Sequence, residues 1–306
     1  MKTTEVKIAS GLNLLLVFLI QVVAFFLLWA GSRLGILWSI PIGIIFSFAL
    51  LTNYGLMHDA AHQTLHRNKY VNYVLGVISC SIFPQSLTLF EVAHQMHHQG
   101  NRTDNETFDY YYPTDNIFLK RIQWYGILTG LWYPMVITGT VLASLSPRIF
   151  RLKIFSASVG SLVLFEAFKG WVITKIRLEA LLMMMFWFMM WQALSLQIWT
   201  VFLFYILFGI NWSTRQYVTH AWTPRDVIEG ALNLKTSKIM ELFLLNGNWD
   251  HVHHKYPHLP WRELVRPEYH KVEPTSYFKQ YLSLWKGPRL NAEPPPSPVL
   301  LGYLHD

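Results

Sequence analysis

Histidine is the residue whose spacing carries most chemistry in this chain. His58 and His62 are four residues apart, and His66 follows one turn later. His94, His97 and His98 repeat the theme at positions i, i+3 and i+4, which share a helix face. A third concentration lies in the stretch NGNWDHVHHKYPHLPW, residues 246–261, with His251, His253 and His254. His220 stands alone, and Gln216 precedes it by one turn. Neutral imidazole is the commonest metal ligand in proteins. Even eight of these ten imidazoles are too many for one ion, because zinc takes about four ligands and a catalytic zinc about three from protein. Two five- or six-coordinate ions would use about eight or nine. A donor set rich in nitrogen, poor in carboxylate and without thiolate suits a pair of redox irons best, with zinc second.

Each cluster abuts the mouth of an apolar run, so membrane-length helices must position them. Of the 306 residues, 52% are hydrophobic and only 14% are charged, against about 25% charged in a soluble domain. That balance points to an integral membrane protein, and the absence of a linker points to a single domain over 1–306. The net charge of +7 fits basic loops on the cytoplasmic face better than nucleic-acid binding, since the positive residues flank apolar segments. Cys80 is the one cysteine, which excludes an internal disulfide and a CxxC metal site.

The runs 8–32 and 34–57 are free of charge except at Arg33 between them. Each exceeds the ~20 residues of a spanning helix, and together they read as a hairpin. The first run is too long for a signal-peptide core and lacks a small-residue cleavage site. The run 71–90 is interrupted by Pro84, Gln85, Ser86 and Thr88 and reads as re-entrant or interfacial. A further apolar run covers 122–146, and 180–214 is a charge-free stretch too long for one crossing of a ~30 Å core. Two topologies keep the histidines on one side. In one, 122–146 and 180–214 each cross once. In the other, 180–214 is a tight hairpin turning near residues 192–195, and 122–146 lies in the interface. Arg148, Arg151, Lys153, Lys169, Lys175 and Arg177 fall between these runs, and the positive-inside rule favours the hairpin. The expected architecture is therefore an all-α integral membrane protein. It has four transmembrane helices in two hairpins, both termini in the cytoplasm, and a cytosolic helical cap carrying the histidines. The proline run in the tail, 290–306, forbids helix and reads as extended.

Taken together, HDAAH with HRN, HQMHHQGNRTDNETFDYY, RQYVTHAWTP and NWDHVHHKYPHLPW resemble the membrane fatty acid desaturase and hydroxylase superfamily. The resemblance covers most of the chain, from His58 to Trp261. It implies two iron ions held by His58, His62, His94, His97, His98, His220, His253 and His254. It further implies O₂-dependent removal of hydrogen from an unactivated methylene of a lipid-soluble substrate, supplied with electrons by a separate ferredoxin or b-type cytochrome. One departure stands out. The third family box reads HxxHH, but the position three before His253 is Asp250, and His251 comes one place late. Asp250 could be a carboxylate ligand or orient an imidazole, or His251 could take the role through irregular backbone. Asn248 and Gln216 could reach a metal through water, and His66 could support the site. His66, His258, His270 and His305 equally fit interfacial or capping roles.

Trp187, Trp191, Phe204 and Phe208 are candidate walls of an apolar substrate tunnel, although such residues commonly face lipid or pack. Arg67, Lys69, Arg102, Arg215, Lys235 and Lys238 could steer an acidic electron carrier, or simply satisfy the positive-inside bias. An acyl-chain desaturase is the leading expectation for function. A carotenoid hydroxylase or ketolase, or an oxidative decarboxylase making terminal alkenes, would use the same site. A zinc hydrolase would leave about five imidazoles unexplained. A metal transporter would be expected to carry ionisable groups inside its spans, and the charge-free runs hold no histidine.

Overall fold

The computed structural model describes residues 6–104, 106–146, 148, 170–270 and 272–297. Arg151, Lys153, Lys169, His305 and the last part of the tail lie outside them. The described chain is mostly helical. Helices α1 (Ser10–Arg33) and α2 (Ile36–Ala61) form an antiparallel pair. Among the described residues these two are long and apolar enough to cross a membrane. Helix α3 (Lys69–Ile82) meets α4 (Leu87–Gly100) at a 95° bend, and α5 (Ile117–Leu128) meets α6 (Trp132–Leu145) at 91°. If each bent pair counts as one span, the number of candidate spans rises to four. The 71–90 run is thus a helix, a sharp break and the start of α4, and 122–146 is likewise broken. Gly130 sits at the second break with φ +108° and lies against the backbone of Ile210. That conformation and approach suit a residue without Cβ.

The apolar run 180–214 is a pair of helices, α7 (Trp171–Leu194) and α8 (Ile198–Ser213). Ser195 in the left-handed region ends α7. The turn therefore falls at residues 195–197, slightly later than the 192–195 expected, and α7 begins before the apolar run, taking in Lys175, Arg177 and Glu179. The α1–α2 and α7–α8 turns touch. Arg33 donates to the Leu194 carbonyl (3.2 Å), and the Gln197 amide donates to Ser32 Oγ (3.0 Å).

Helix α8 lies closely on α1 and α2 because Gly31 and Gly43 leave room for it. A Cβ at either would come within 3 Å of the Phe204 or Leu207 side chain. Several polar side chains within the apolar helices are paired across them, as burial favours. Asn53 Nδ2 donates to the Ser79 carbonyl (2.8 Å), and Asn13 Nδ2 donates to the Leu65 carbonyl (2.8 Å). Asn72 accepts from the Leu65 and His66 amides and donates to the Ala60 carbonyl, closing the C-terminal end of α2. Glu179 of α7 is buried and accepts from Ser86, Thr88 and Tyr73. A carboxylate at the first turn of α4 also complements the helix dipole, so this contact anchors the helix that carries the second cluster.

Beyond the long helices come α9 (Lys238–Phe243), α10 (Asp250–Lys255) and α11 (Tyr277–Leu284). Two short parallel ladders join β1 (Tyr110–Tyr111) to β4 (Arg289–Leu290), and β2 (Leu234–Lys235) to β3 (Thr275–Ser276). Past β4 the tail is without helix or strand through residue 297. Arg102 is fully buried, so it cannot serve as a surface contact for an electron carrier. Its guanidinium pairs in two places with the buried Asp109 (2.8 and 3.1 Å) and donates to Tyr217 Oη and the Thr223 carbonyl. Asp109 in turn accepts from the Trp222 amide. This pair ties the loop after α4 to the segment bearing His220.

Removing one partner of a buried pair leaves an uncompensated charge, at a cost of about 3–5 kcal/mol. Asp109→Ala is therefore expected to lower the melting temperature of the detergent-solubilised protein well below that of an exposed control such as Asp226→Ala. Equal melting of the two variants would remove the structural role given to this pair.

Candidate metal centre

The histidine clusters gather at one end of the long helices. Helix α2 carries His58, and His62 follows at its C-cap. Helix α4 carries His94, His97 and His98, and α10 carries His253 and His254. His220 lies in the turns after α8. At about 100° per residue, His94 and His98 lie about 40° apart on α4, while His97 and His98 are about 100° apart. One helix can therefore face two neighbouring points, and the adjacent pair His253 and His254 does the same from α10.

The structure separates these side chains into two groups. His58, His62, His94, His98 and His253 form the first, and His97, His220 and His254 the second. Within each group the ring nitrogens available as ligands lie within 4.8 Å of one another. In the first group Nε2 atoms meet directly: His62 with His94 at 2.8 Å, His94 with His98 at 3.1 Å, and His98 with His253 at 2.9 Å. The two groups adjoin, with the rings of His98 and His254 4.5 Å apart. Burial, and then the imidazoles of His58, His62 and His98, push the proton affinity of His253 well below the ordinary histidine value. Burial, His97 and His220 do the same for His254. Both rings are thereby held neutral, the form that binds metal.

Asp250 and His251 part company. Asp250 Oδ2 lies 3.0 Å from His220 Nε2 and 3.9 Å from His254 Nε2, so the carboxylate belongs with the second group. Burial opposes its ionisation, but His220 together with Thr219 and His97 outweighs burial and holds the carboxyl at about 2. His251 turns away, its Nε2 bonded to Glu229 Oε2 at 2.7 Å. Two contacts orient second-group rings from behind. His220 Nδ1 faces the Gly230 carbonyl (3.1 Å), and His97 Nδ1 faces Glu106 Oε2 (3.4 Å). Such partners fix the ring and leave Nε2 for a metal. Glu106 lies in the polar stretch after the second cluster, where acidic spacing alone does not mark it as a partner of His97.

A cavity of about 350 Å³ reaches both groups, within the ~300–1,000 Å³ typical of small-molecule sites. His58, His94, His97, His220 and His253 line it, together with Tyr54, Phe90, Trp132, Val136 and Trp212. Gln216 and Asn248 also face it. Gln216 accepts from Tyr54 Oη (3.3 Å), and Asn248 donates to the Leu234 carbonyl (2.7 Å). Asn248 Oδ1 is buried without a partner.

The expected tunnel residues lie elsewhere. Phe204 and Phe208 are fully buried between helices, against Phe46 and Phe83. Trp187 packs on Phe25 and donates to the Ser81 carbonyl, and Trp191 packs against the helical core. The close α8–α2 contact at Gly43 holds Phe204 in this packing, and the cavity wall falls to residues such as Tyr54 and Trp212. His66 accepts from the Asn68 amide in the loop after α2 and belongs to neither group.

Five imidazoles in one group exceed the ~four ligands of zinc. The donor set suits five- or six-coordinate ions that accept imidazole, with one carboxylate on the second group. His254→Ala is expected to lower the metal retained by purified protein from about two ions per chain to about one. Asp250→Asn is expected to weaken retention of one ion by about ten- to a hundred-fold, and His251→Ala to leave both. Metal analysis after graded chelation reads all three, and a loss with His251→Ala equal to that with Asp250→Asn would reverse the assignment.

The chain matches the family model described as fatty acid desaturase over residues 36–286. Among curated proteins none matches it significantly. The matched region contains all eight grouped histidines and Asp250, so the chain belongs to the fatty acid desaturase family.

Proposed function

We propose that this oxidoreductase is a di-iron, O₂-dependent desaturase of a fatty acyl chain. The observation that carries the reading is the cavity, whose aromatic and aliphatic wall ends on both histidine groups. The first iron would be held by His58, His62, His94, His98 and His253, and the second by His97, His220, His254 and Asp250. Bound iron would supply the O₂ activation that no side chain can provide. Desaturation balances as two hydrogens leaving adjacent methylenes while O₂ becomes two waters. It therefore consumes two further electrons and two protons, delivered by a separate ferredoxin or b-type cytochrome. The protein's own contribution is positional. Tyr54, Phe90, Trp132 and Trp212 would hold the methylenes beside the metals and exclude water. Glu106 and the Gly230 carbonyl would keep the rings of His97 and His220 aimed at the second ion.

In this reading the chain is one membrane domain with α1–α2 and α7–α8 as two hairpins. That makes four crossings, with both termini and the histidines in the cytoplasm. The contact between the two hairpin turns supports a common depth for them, and Lys175 and Arg177 at the opposite end of α7 support the orientation. Cys80 is buried, so thiol labelling has little background. Leu34→Cys is expected to react with a membrane-impermeant reagent from outside the cell and Tyr70→Cys only after lysis. Labelling of both from one side would refute the topology.

Expression in a host of defined lipids, followed by mass spectrometry, tests the reaction. Acyl chains lacking two hydrogens are expected under air, to be lost without O₂ and with His97→Ala. Hydroxylated chains, terminal alkenes or altered pigments in their place would assign another reaction to the same site. Activity that survives without O₂ would remove the di-iron reading.

A further inference from the structure

The cavity holds one group that hydrogen removal from a methylene does not need. Arg215 follows α8 directly, five residues before His220, and lines the cavity. Its Nε–H donates to Asn211 Oδ1 (2.9 Å) and one Nη1–H donates to Tyr277 Oη (3.2 Å). Both partners are neutral. A guanidinium carries five N–H donors, so three remain without a protein acceptor among the described residues. No carboxylate of the described residues pairs with it. The acidic residues of the cavity wall are engaged elsewhere: Asp59 with the Trp261 amide, Glu106 with His97, and Asp250 with His220. Arg102 and Arg225, whose side chains are buried in the same region, are by contrast paired with Asp109 and Asp104. A partly buried cation beside aromatic walls is costly unless an anion meets it.

The wall also limits which anion. Among the described residues lining the cavity, Arg215 is the sole lysine or arginine. A head group with several phosphates would call for several cations, whereas one planar guanidinium matches one carboxylate in a paired, two-point contact. We infer that Arg215, steadied by Asn211 and Tyr277, binds the carboxylate of an unesterified fatty acid whose chain occupies the cavity. The inference rests on the proposal that this cavity takes an acyl chain, and it narrows the substrate from an acyl carrier to the free acid.

Trp132, Trp212 and Trp261 line the same cavity, so tryptophan emission reports occupancy without turnover. The iron-loaded protein in nanodiscs of neutral lipid is titrated with palmitic acid, methyl palmitate and palmitoyl-CoA. Wild type is expected to bind the acid about ten-fold or more tightly than the ester, with the CoA thioester no tighter than the ester. Arg215→Gln is expected to abolish that preference while retaining ester binding and iron content. Equal affinity for acid and ester in wild type, a preference for palmitoyl-CoA, or an acid preference that survives in Arg215→Gln would each overturn the inference. The wild-type comparison stands even where the variant fails to fold. If neither acid nor ester binds wild type, the acyl-chain reading of the cavity falls as well, which separates the two failures.

Discussion

Neutral imidazoles cannot be crowded nitrogen to nitrogen without consequence. His94 Nε2 meets both His62 Nε2 and His98 Nε2, and His98 Nε2 also meets His253 Nε2. A neutral ring nitrogen carries either one hydrogen or one lone pair. Along this string each middle nitrogen must share its one hydrogen, or its one lone pair, between two neighbours, so the links cannot all be full hydrogen bonds. Protonating the rings offers no relief, because an imidazolium nitrogen only donates and positive charges would stand side by side in a buried site, which burial opposes. A cation that accepts several lone pairs at once would resolve the conflict, and each group offers nitrogens that could hold one. The fold must then hold four separate segments against that crowding.

The structure meets this demand with buried polar contacts at the base of three of these segments. Asn72 closes the end of α2 below His62, and Glu179 clamps the start of α4 beneath His94. Arg102 and Asp109 join the end of α4 to the turns that present His220, and the Gly230 carbonyl fixes that ring. None of these groups belongs to either histidine cluster. Each sits where a small shift would move an imidazole by more than the tolerance of a coordination bond.

The site was legible in the sequence to the extent that helical periodicity encodes it. HxxxH and HxxHH on helices place rings on common faces whatever the surrounding fold, and the eight histidines that the family resemblance implies as ligands are the eight that gather. Which ion each would serve was not legible, because it depends on how α4 and α10 are rotated against α2. The choice between Asp250 and His251 was also open, since it turns on where the six-residue helix α10 begins. Membrane-length helices α1 and α2 were readable from length and hydropathy. The aromatic lining was not, because glycines at 31 and 43 decide that Phe204 packs between helices. Nor was Arg102, whose partner Asp109 is seven residues away across an irregular loop. Arg215 reads in sequence as one more basic residue near a membrane surface, and only the surrounding cavity distinguishes it.

The central claim is that two differently built metal sites lie side by side, one of five imidazoles and one of three imidazoles with the Asp250 carboxylate. Mössbauer spectroscopy of protein loaded with isotopically enriched iron addresses it most directly. Two quadrupole doublets of equal area and distinct splitting, together accounting for all bound iron, are the expected result. A single doublet, or one iron per chain with the remainder unbound, would contradict it.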